Sequence, residues 1–292
     1  DYFQTLPVSK VILGSYANMS LERVIIASGR IYDQDIDGSS ADTGAWQAGD
    51  MRENVGKSQV SVGINLADMG QTSNNMAQVY SRKFKQITTH FAWGQYTNGR
   101  INHGGSGGGG IATLTNGEKN EVSHEWGHDY GLSHYPGQSL TTDQRWTRHH
   151  ADSGWGYNTM RRRMRASFAG IKADNSYNYT ADAMSGGESA NLSFSRFTYY
   201  TGFSARNIQN ELAGYAIPDV AYPSGYKIWN NAIGAYADYT KDVRPKPKKV
   251  GVPVATILGG YDPDGKASGT ENGATVSYAN NAVIYPVFHG NY

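Results

Sequence analysis

Residues 124–134 read HEWGHDYGLSH, and in this stretch the side chains that can bind a metal fall at spacings that let them share one. His124 and His128 are one helical turn apart, so on a helix both imidazoles leave the same face. Gly131 comes three residues later and can adopt the left-handed conformation that ends a helix and turns the chain. His134 then reaches the same ion as a third nitrogen ligand. The chain has no cysteine, which excludes disulfides, thiolate ligands and cysteine nucleophiles and leaves any zinc to His, Asp or Glu. Zinc on three protein ligands keeps one position for water and brings that water's pKa toward ~7. Glu125, beside the first ligand, is suited to take the proton of this water as general base and pass it to a departing amine. The implied chemistry is peptide-bond hydrolysis; a purely structural zinc needs neither the adjacent carboxylate nor the open position.

The elements that must position these groups can be read around them. Residues 118–130 are expected as the helix carrying the first two ligands, and 205–214 (ARNIQNELAG) as a second helix stopped by Gly214. Residues 8–13 (VSKVIL), 23–27 (RVIIA) and 86–93 (QITTHFAW) are expected strands. The apolar spacing of Met76, Val79, Tyr80 and Phe84 predicts an amphipathic helix from Asn75. The run 104–110 (GGSGGGG) is expected to interrupt regular structure before a short strand at Ile111–Leu114. Between the two later helices the chain reads as mostly irregular. Arg244–Lys249 (RPKPKK) is the candidate linker. Beyond it, VPVATIL, TVSY and AVIYPVF suggest a small β appendage with a hairpin around Asn280 and Asn281. The expected division is therefore a catalytic domain over 1–243 and a linker with a small C-terminal β segment over 244–292. The expected fold class is α+β: a twisted, mixed sheet backed by helices, the metal-binding helix on the floor of a cleft, and an irregular C-terminal subdomain.

Composition narrows the function classes. The 26 basic and 25 acidic residues nearly cancel, so no global field points to nucleic acid or an anionic membrane. No apolar run approaches the roughly 18–20 residues of a membrane span, and the mean hydropathy is -0.57. The opening DYFQTLPVSK has neither an initiator Met nor an apolar leader, and is expected to be a processed end or an excised one. No heptad pattern calls for a second chain, and a monomer is expected. Glycine, at 36 residues, is about 12 % of the chain against a usual ~7 %. With 21 Tyr and 6 Trp, this describes a turn-rich, aromatic-rich protein. Such composition is shared by sugar-binding and by ordinary β-rich domains.

The three-histidine motif with its turning glycine resembles the metzincin zinc peptidases, which also place a methionine turn beneath the metal. Met184, in Asp182-Ala183-Met184-Ser185-Gly186-Gly187, is the candidate, because small residues there permit a tight bend. Met160 and Met164 are rivals flanking Arg161–Arg163 in an expected surface segment. Within that clan the chain resembles the StcE-like and TagA-like secreted zinc proteases of enteric and marine bacteria. The matching pieces are GGSGGGGIATL, EVSHEWGHDYGLSHY, the later GWG, DAMSGG and the Tyr-Thr-rich segment before residue 205, spanning roughly 8–240. The resemblance implies an extracellular zinc endopeptidase that selects O-glycosylated, mucin-like proteins. It also implies that Trp46 packs on a peptide-linked sugar and that Tyr135, directly after the third ligand, reaches the substrate sugar or the oxyanion. Gln47 stands where the family pattern has histidine, a departure that bears on glycan preference. Two other readings compete: a metzincin protease with no glycan requirement, and a glycan-binding adhesion module with a degenerate site, against which the intact Glu125 argues.

Weaker signals have blander readings. Gly105, Gly107 and Gly110 match a dinucleotide fingerprint, but a strand and not a helix is expected to follow. Gly107 and Gly108 are better read as places where substrate backbone approaches a cleft-side strand. Asp33, Asp35 and Asp37 imitate the start of a calcium loop whose twelfth position is Gly44, so an EF-hand is excluded and a solvated acidic turn is preferred to a looser Ca²⁺ site. Arg161–Arg163 and Arg165 could meet sialylated or sulfated glycans, but read first as a solvated helix face. His90, His103, His149, His150 and His289 are read as structural.

Overall fold

The computed structural model describes residues 6–8, 11, 13–21, 23–25, 31–33, 60, 63, 64, 67, 87–96, 98–106, 110–115, 120–141, 144, 148, 149, 156–158, 162–165, 168–171, 173–175, 177–179, 182–185, 200–241, 252–261, 268–271, 274–277, 282–284 and 287–291. The expected helix from Asn75, the linker at 244–249, and Trp46, Gly107 and Gly108 lie outside these residues. The chain forms two compact units that interleave in sequence. One takes residues 1–12, 82–87 and 104–247; the other takes 13–81, 88–103 and 248–292. Small helices and short sheets occur in both, so the α+β class holds; among the described residues no sheet has more than three strands.

The first unit is organised around helix α1 (Asn120–Asp129) and helix α2 (Gly202–Ala213). α2 begins at Thr201, whose side chain accepts from the Ser204 amide, and ends at Gly214, whose N–H bonds back to the carbonyls of Glu211 and Leu212. The core between the helices gathers Leu6, Tyr130, Leu132, Tyr135, Ala183, Met184, Tyr200 and Ile208, with Val8, Ile87, Trp126 and Leu212 packed against it. Strand Ile111–Thr113 forms as expected, but the glycine run does not stay irregular: Gly105–Ser106 pairs antiparallel with it, Gly105 opposite Thr113 and Ser106 opposite Ala112. Glycine disfavours a strand only by backbone entropy, and a ladder partner offsets that cost. Strand Arg163–Arg165 pairs antiparallel with Gly156–Asn158, so Arg163 and Arg165 lie on a strand and not on the face of a helix. Phe168–Ile171 pairs with Tyr177–Tyr179, and Tyr226–Asn230 with Ala235–Asp238, which gives the expected irregular region more short sheet than its sequence suggests.

In the second unit Arg23–Ile25 pairs with Ile31–Asp33, and Gly94–Tyr96 with Gly99–Ile101. Of the expected strand at 8–13, the described residues Val8, Val11 and Leu13 belong to no ladder, and Leu13 is 71 % exposed. A β-branched run becomes a strand only where a partner accepts its backbone groups. The C-terminal pairings are nested, Pro253–Thr256 with Phe288–Asn291, Gly259–Tyr261 with Ala282–Ile284, and Ser268–Glu271 with Ala274–Ser277. The hairpin therefore turns between Glu271 and Ala274, not at Asn280–Asn281. The two residues between them are Asn272 and Gly273, the dipeptide most favourable for a two-residue turn.

Val60, Gly63, Ile64 and Ala67 are helical, at the i, i+3, i+4, i+7 spacing of one buried face. Phe288 fills the space over this face, fully buried among Ile64, Ala67, Val254 and Leu258. A Cβ placed on Gly63 would strike the Phe288 ring, so the glycine leaves the room the ring occupies. Phe288→Ala is expected to lower stability by about 3–5 kcal/mol in urea denaturation, the usual cost of emptying a buried aromatic site.

Candidate metal centre

α1 brings His124 and His128 to one side of the helix, their rings 4.7 Å apart between centroids. Beyond Asp129 the helix closes with two reverse bonds, Leu132 N–H to the Gly127 carbonyl at 3.0 Å and Gly131 N–H to the His128 carbonyl at 2.9 Å. Gly131 sits between them at φ +82°, the left-handed residue that this pair of bonds requires. The turn returns the chain so that the His134 ring lies 5.2 Å from that of His124 and 5.1 Å from that of His128. One ring nitrogen from each of the three lies within 4.8 Å of the others.

Carbonyls fix which nitrogen of two of these rings faces inward. His124 Nδ1–H donates to the Ala183 carbonyl at 3.0 Å, and His128 Nδ1–H to the Leu132 carbonyl at 2.8 Å. Both Nε2 lone pairs are thereby turned toward the centre, 3.2 Å apart. Two imidazole nitrogens on one tetrahedral zinc, each ~2.05 Å from it, would stand about 3.3 Å apart. The donor set fits that ion. Burial lowers the pKa of both His124 and His128, against the opposing effect of their carbonyl bonds, so both are held in the neutral form a metal needs.

Glu125 is buried on α1 beside the first of these histidines. Burial first, then the neighbouring Glu121 and Asp129, pushes its carboxyl up to about 8. A cation among the imidazoles acts in the opposite sense and favours the carboxylate.

Met184 lies in a 3-10 turn, Ala183–Ser185, packed under α1. A Cβ on Gly127 would collide with the Met184 sulfur, so the glycine inside the helix is the space the thioether occupies. The turn is tied to α1 and to the chain after His134 at three points. The Ala183 carbonyl accepts from His124 and also from Asn120 Nδ2 at 2.9 Å, and the Met184 carbonyl accepts from the Tyr135 amide at 2.9 Å. Asp182, fully buried, holds the turn to α2: its carboxylate accepts from the Met184 amide at 2.9 Å and the Thr201 amide at 2.8 Å. Sequence reasoning missed Asp182, although an Asp two residues before a turn amide is an Asx-turn signal.

Tyr135 is buried with its ring in the core, and its hydroxyl is bonded to His149 Nδ1 at 2.8 Å. His149 in turn stacks on Phe203 of α2 at 4.4 Å. The structure thus brings together His124, His128, His134, Met184 and Tyr135, with Glu125 on the same helix. Gln47, Asp35, Asp37, Arg161, His150 and Met160 lie outside the described residues.

Three imidazoles on an H-E-x-x-H helix and its returning turn define a metal site of the metallopeptidase kind. Comparison with known proteins agrees: the peptidase M66 family model matches residues 1–216, and the ToxR activated gene A lipoprotein domain model matches residues 245–292. The chain belongs to the peptidase M66 family. It is 39 % identical to the ToxR-activated gene A lipoprotein of Vibrio cholerae serotype O1 over 100 % of its own length and 28 % of that protein. It is 34 % identical to Metalloprotease StcE of Escherichia coli O157:H7, over 79 % of this chain and 27 % of the relative. Dictomallein of Burkholderia mallei is 25 % identical over 55 % of this chain and 27 % of its own length. The chain therefore spans little more than a quarter of the curated relatives it matches.

Two outcomes are expected here. Gly131→Ala should cost about 1–2 kcal/mol, because a Cβ there meets only ordinary contacts and the penalty is the left-handed backbone; zinc affinity measured against a chelator should fall with it. In chelated protein, burial holds His124 and His128 below the ordinary imidazole range, so the unfolded chain binds protons first on acidification. Glu125, raised to about 8, opposes this over the same range, so the loss below about pH 6.5 is read in chelated Glu125→Gln protein, as a lower urea midpoint at about pH 5.5 than at about pH 7.5.

Proposed function

We propose that this chain is the catalytic part of a secreted zinc endopeptidase of the metzincin type, acting on O-glycosylated, mucin-like proteins. The observation that carries the hydrolytic reading is the set of three converging imidazoles, two held by carbonyls with Nε2 inward, on the helix that bears Glu125. His124, His128 and His134 would hold the metal, and zinc bound there supplies Lewis acidity that polarises a carbonyl and acidifies water. Glu125 takes the proton of the attacking water and delivers it to the amide nitrogen as the C–N bond breaks. Its burial keeps competing solvent from the carboxyl, which strengthens that proton transfer. Met184 supports the floor, since its turn carries the carbonyls that orient His124 and the chain after His134.

The metzincin assignment is supported by the glycine-turned third histidine and by Met184 beneath the helix. Substrate selection rests on the family resemblance, with Trp46 and Tyr135 as the proposed sugar contacts and Gly107 and Gly108 as places of close backbone approach. An extracellular or cell-surface location is consistent with a relative named as a lipoprotein. No helix among the described residues is long and apolar enough to cross a membrane. A protease without glycan requirement is the second reading, and one observation favours it: the Tyr135 hydroxyl is engaged by His149 in the core.

Glu125→Gln should leave zinc content intact and reduce kcat by about 10²–10⁴-fold, the usual contribution of a general base; proteolysis at the wild-type rate would remove the mechanism. Digesting a mucin-domain glycoprotein before and after enzymatic removal of its O-glycans separates the two substrate readings. Selectivity requires the deglycosylated form to resist, and Trp46→Ala should impair cleavage of the glycoprotein more than of an unglycosylated peptide.

A further inference from the structure

Glu121, Glu125 and Asp129 follow one another at four-residue intervals and so occupy one stripe of α1. Glu125 is the middle member. The outer two do something the hydrolytic reading does not use. Asp129 Oδ1 accepts from the Gly110 amide at 2.7 Å, a bond between fully buried groups. At the other end of the helix, Glu121 Oε1 accepts from the Thr115 amide at 2.9 Å and from the Thr115 hydroxyl at 2.8 Å. Gly104 also lies against this carboxylate, and a Cβ there would strike Glu121 Oε1.

These contacts share an order. Gly110 meets the end of α1 and Thr115 its beginning, so the strand Ile111–Thr113 runs antiparallel to the helix and is tied at both ends. The eight steps from Glu121 to Asp129 rise about 12 Å along the helix. The five steps from Gly110 to Thr115 span at most about 16 Å, and the reach of the Glu side chain covers the difference. Both acceptors are carboxylates, so the bonds are of the stronger, charge-assisted kind, and the one between Asp129 and Gly110 is buried. The clamps flank Glu125 on its own stripe, so the strand they hold runs along the stripe that carries it. A peptide whose scissile bond is presented to Glu125 must lie next to that strand and to the glycine ladder paired with it at Gly105–Ser106.

We propose that Glu121 and Asp129 are positioning residues that clamp Gly110–Thr115 along α1, so that this strand and its glycine partner receive the backbone of an extended peptide at a set distance from Glu125. The inference rests on the endopeptidase reading for its functional half; its structural half stands on the clamp alone.

The test uses the full chain with zinc, two internally quenched peptides cleaved by the wild type, one long and one short, and amide hydrogen exchange. Glu121→Ala and Asp129→Ala should each raise KM for the long peptide about tenfold, the effect of losing one charge-assisted bond, with a much smaller change in kcat and undiminished zinc content. The amides of Thr115 and Gly110, respectively, should lose exchange protection. Glu121→Gln and Asp129→Asn, which keep a neutral acceptor oxygen, should restore part of both KM and protection. Should an alanine variant fail to fold, Thr115→Val removes only the hydroxyl half of the clamp and should raise KM about threefold. Unchanged KM for the long peptide, equal loss on both peptides, or amide variants as impaired as the alanine variants would each overturn the proposal. Retained protection of Gly110 and Thr115 in the alanine variants would also do so. If the wild type cleaves no peptide, the endopeptidase reading fails, and exchange at the two amides still decides whether the clamp exists.

Discussion

The carbonyl oxygen of Ala183 accepts two hydrogen bonds, one from Asn120 at the start of α1 and one from the Nδ1–H of His124 a turn later. Much of the centre depends on this one atom. It fixes the rotation of the helix over the Ala183–Ser185 turn, and it sets the tautomer that leaves His124 Nε2 free to face a metal. The turn is then immobilised from below by Asp182, whose carboxylate binds the amides of Met184 and Thr201. Through Thr201 the constraint passes to the first turn of α2, where a carboxylate also suits the helix dipole.

Polar groups are buried at unusual density around α1, since Asn120, Glu121, Ser123, His124, Glu125 and Asp129 are all removed from solvent. Such a helix is stabilised less by apolar burial than by bonds its polar side chains make to neighbouring backbone. The arrangement suits a site in which directions matter, because a carbonyl or carboxylate acceptor fixes orientation while an apolar contact does not. The same geometry explains glycine at 127, where the helix loses propensity but gains room for the Met184 sulfur against its backbone. It also explains why Tyr135 is part of the floor: its amide is bonded to the Met184 carbonyl while its hydroxyl is bonded to His149.

Local chemistry made the centre legible. The spacing of His124, Glu125, His128, Gly131 and His134 depends only on helical geometry and on glycine's access to positive φ, and both operate within eleven residues. The helices at 120–129 and 202–213, the strand at 111–113 and the turn at Met184 are likewise local choices, close to what their sequences predict. What could not be read were pairings between distant segments. The ladder through Gly105–Ser106, the extended Arg163–Arg165, the unladdered Val8, Val11 and Leu13 and the nested C-terminal hairpin each depend on which partner offers its backbone, and no single segment encodes that.

By itself the sequence determined that a three-histidine site with an adjacent glutamate would form on a helix closed by Gly131, because covalent spacing and backbone sterics suffice for that. Only the tertiary structure decided the roles of Asp182, His149, Glu121 and Asp129. Their partners lie 2 to 19 residues away, across turns and strands, and an acidic or imidazole side chain declares its purpose only when burial removes water and leaves a particular amide or hydroxyl as its partner.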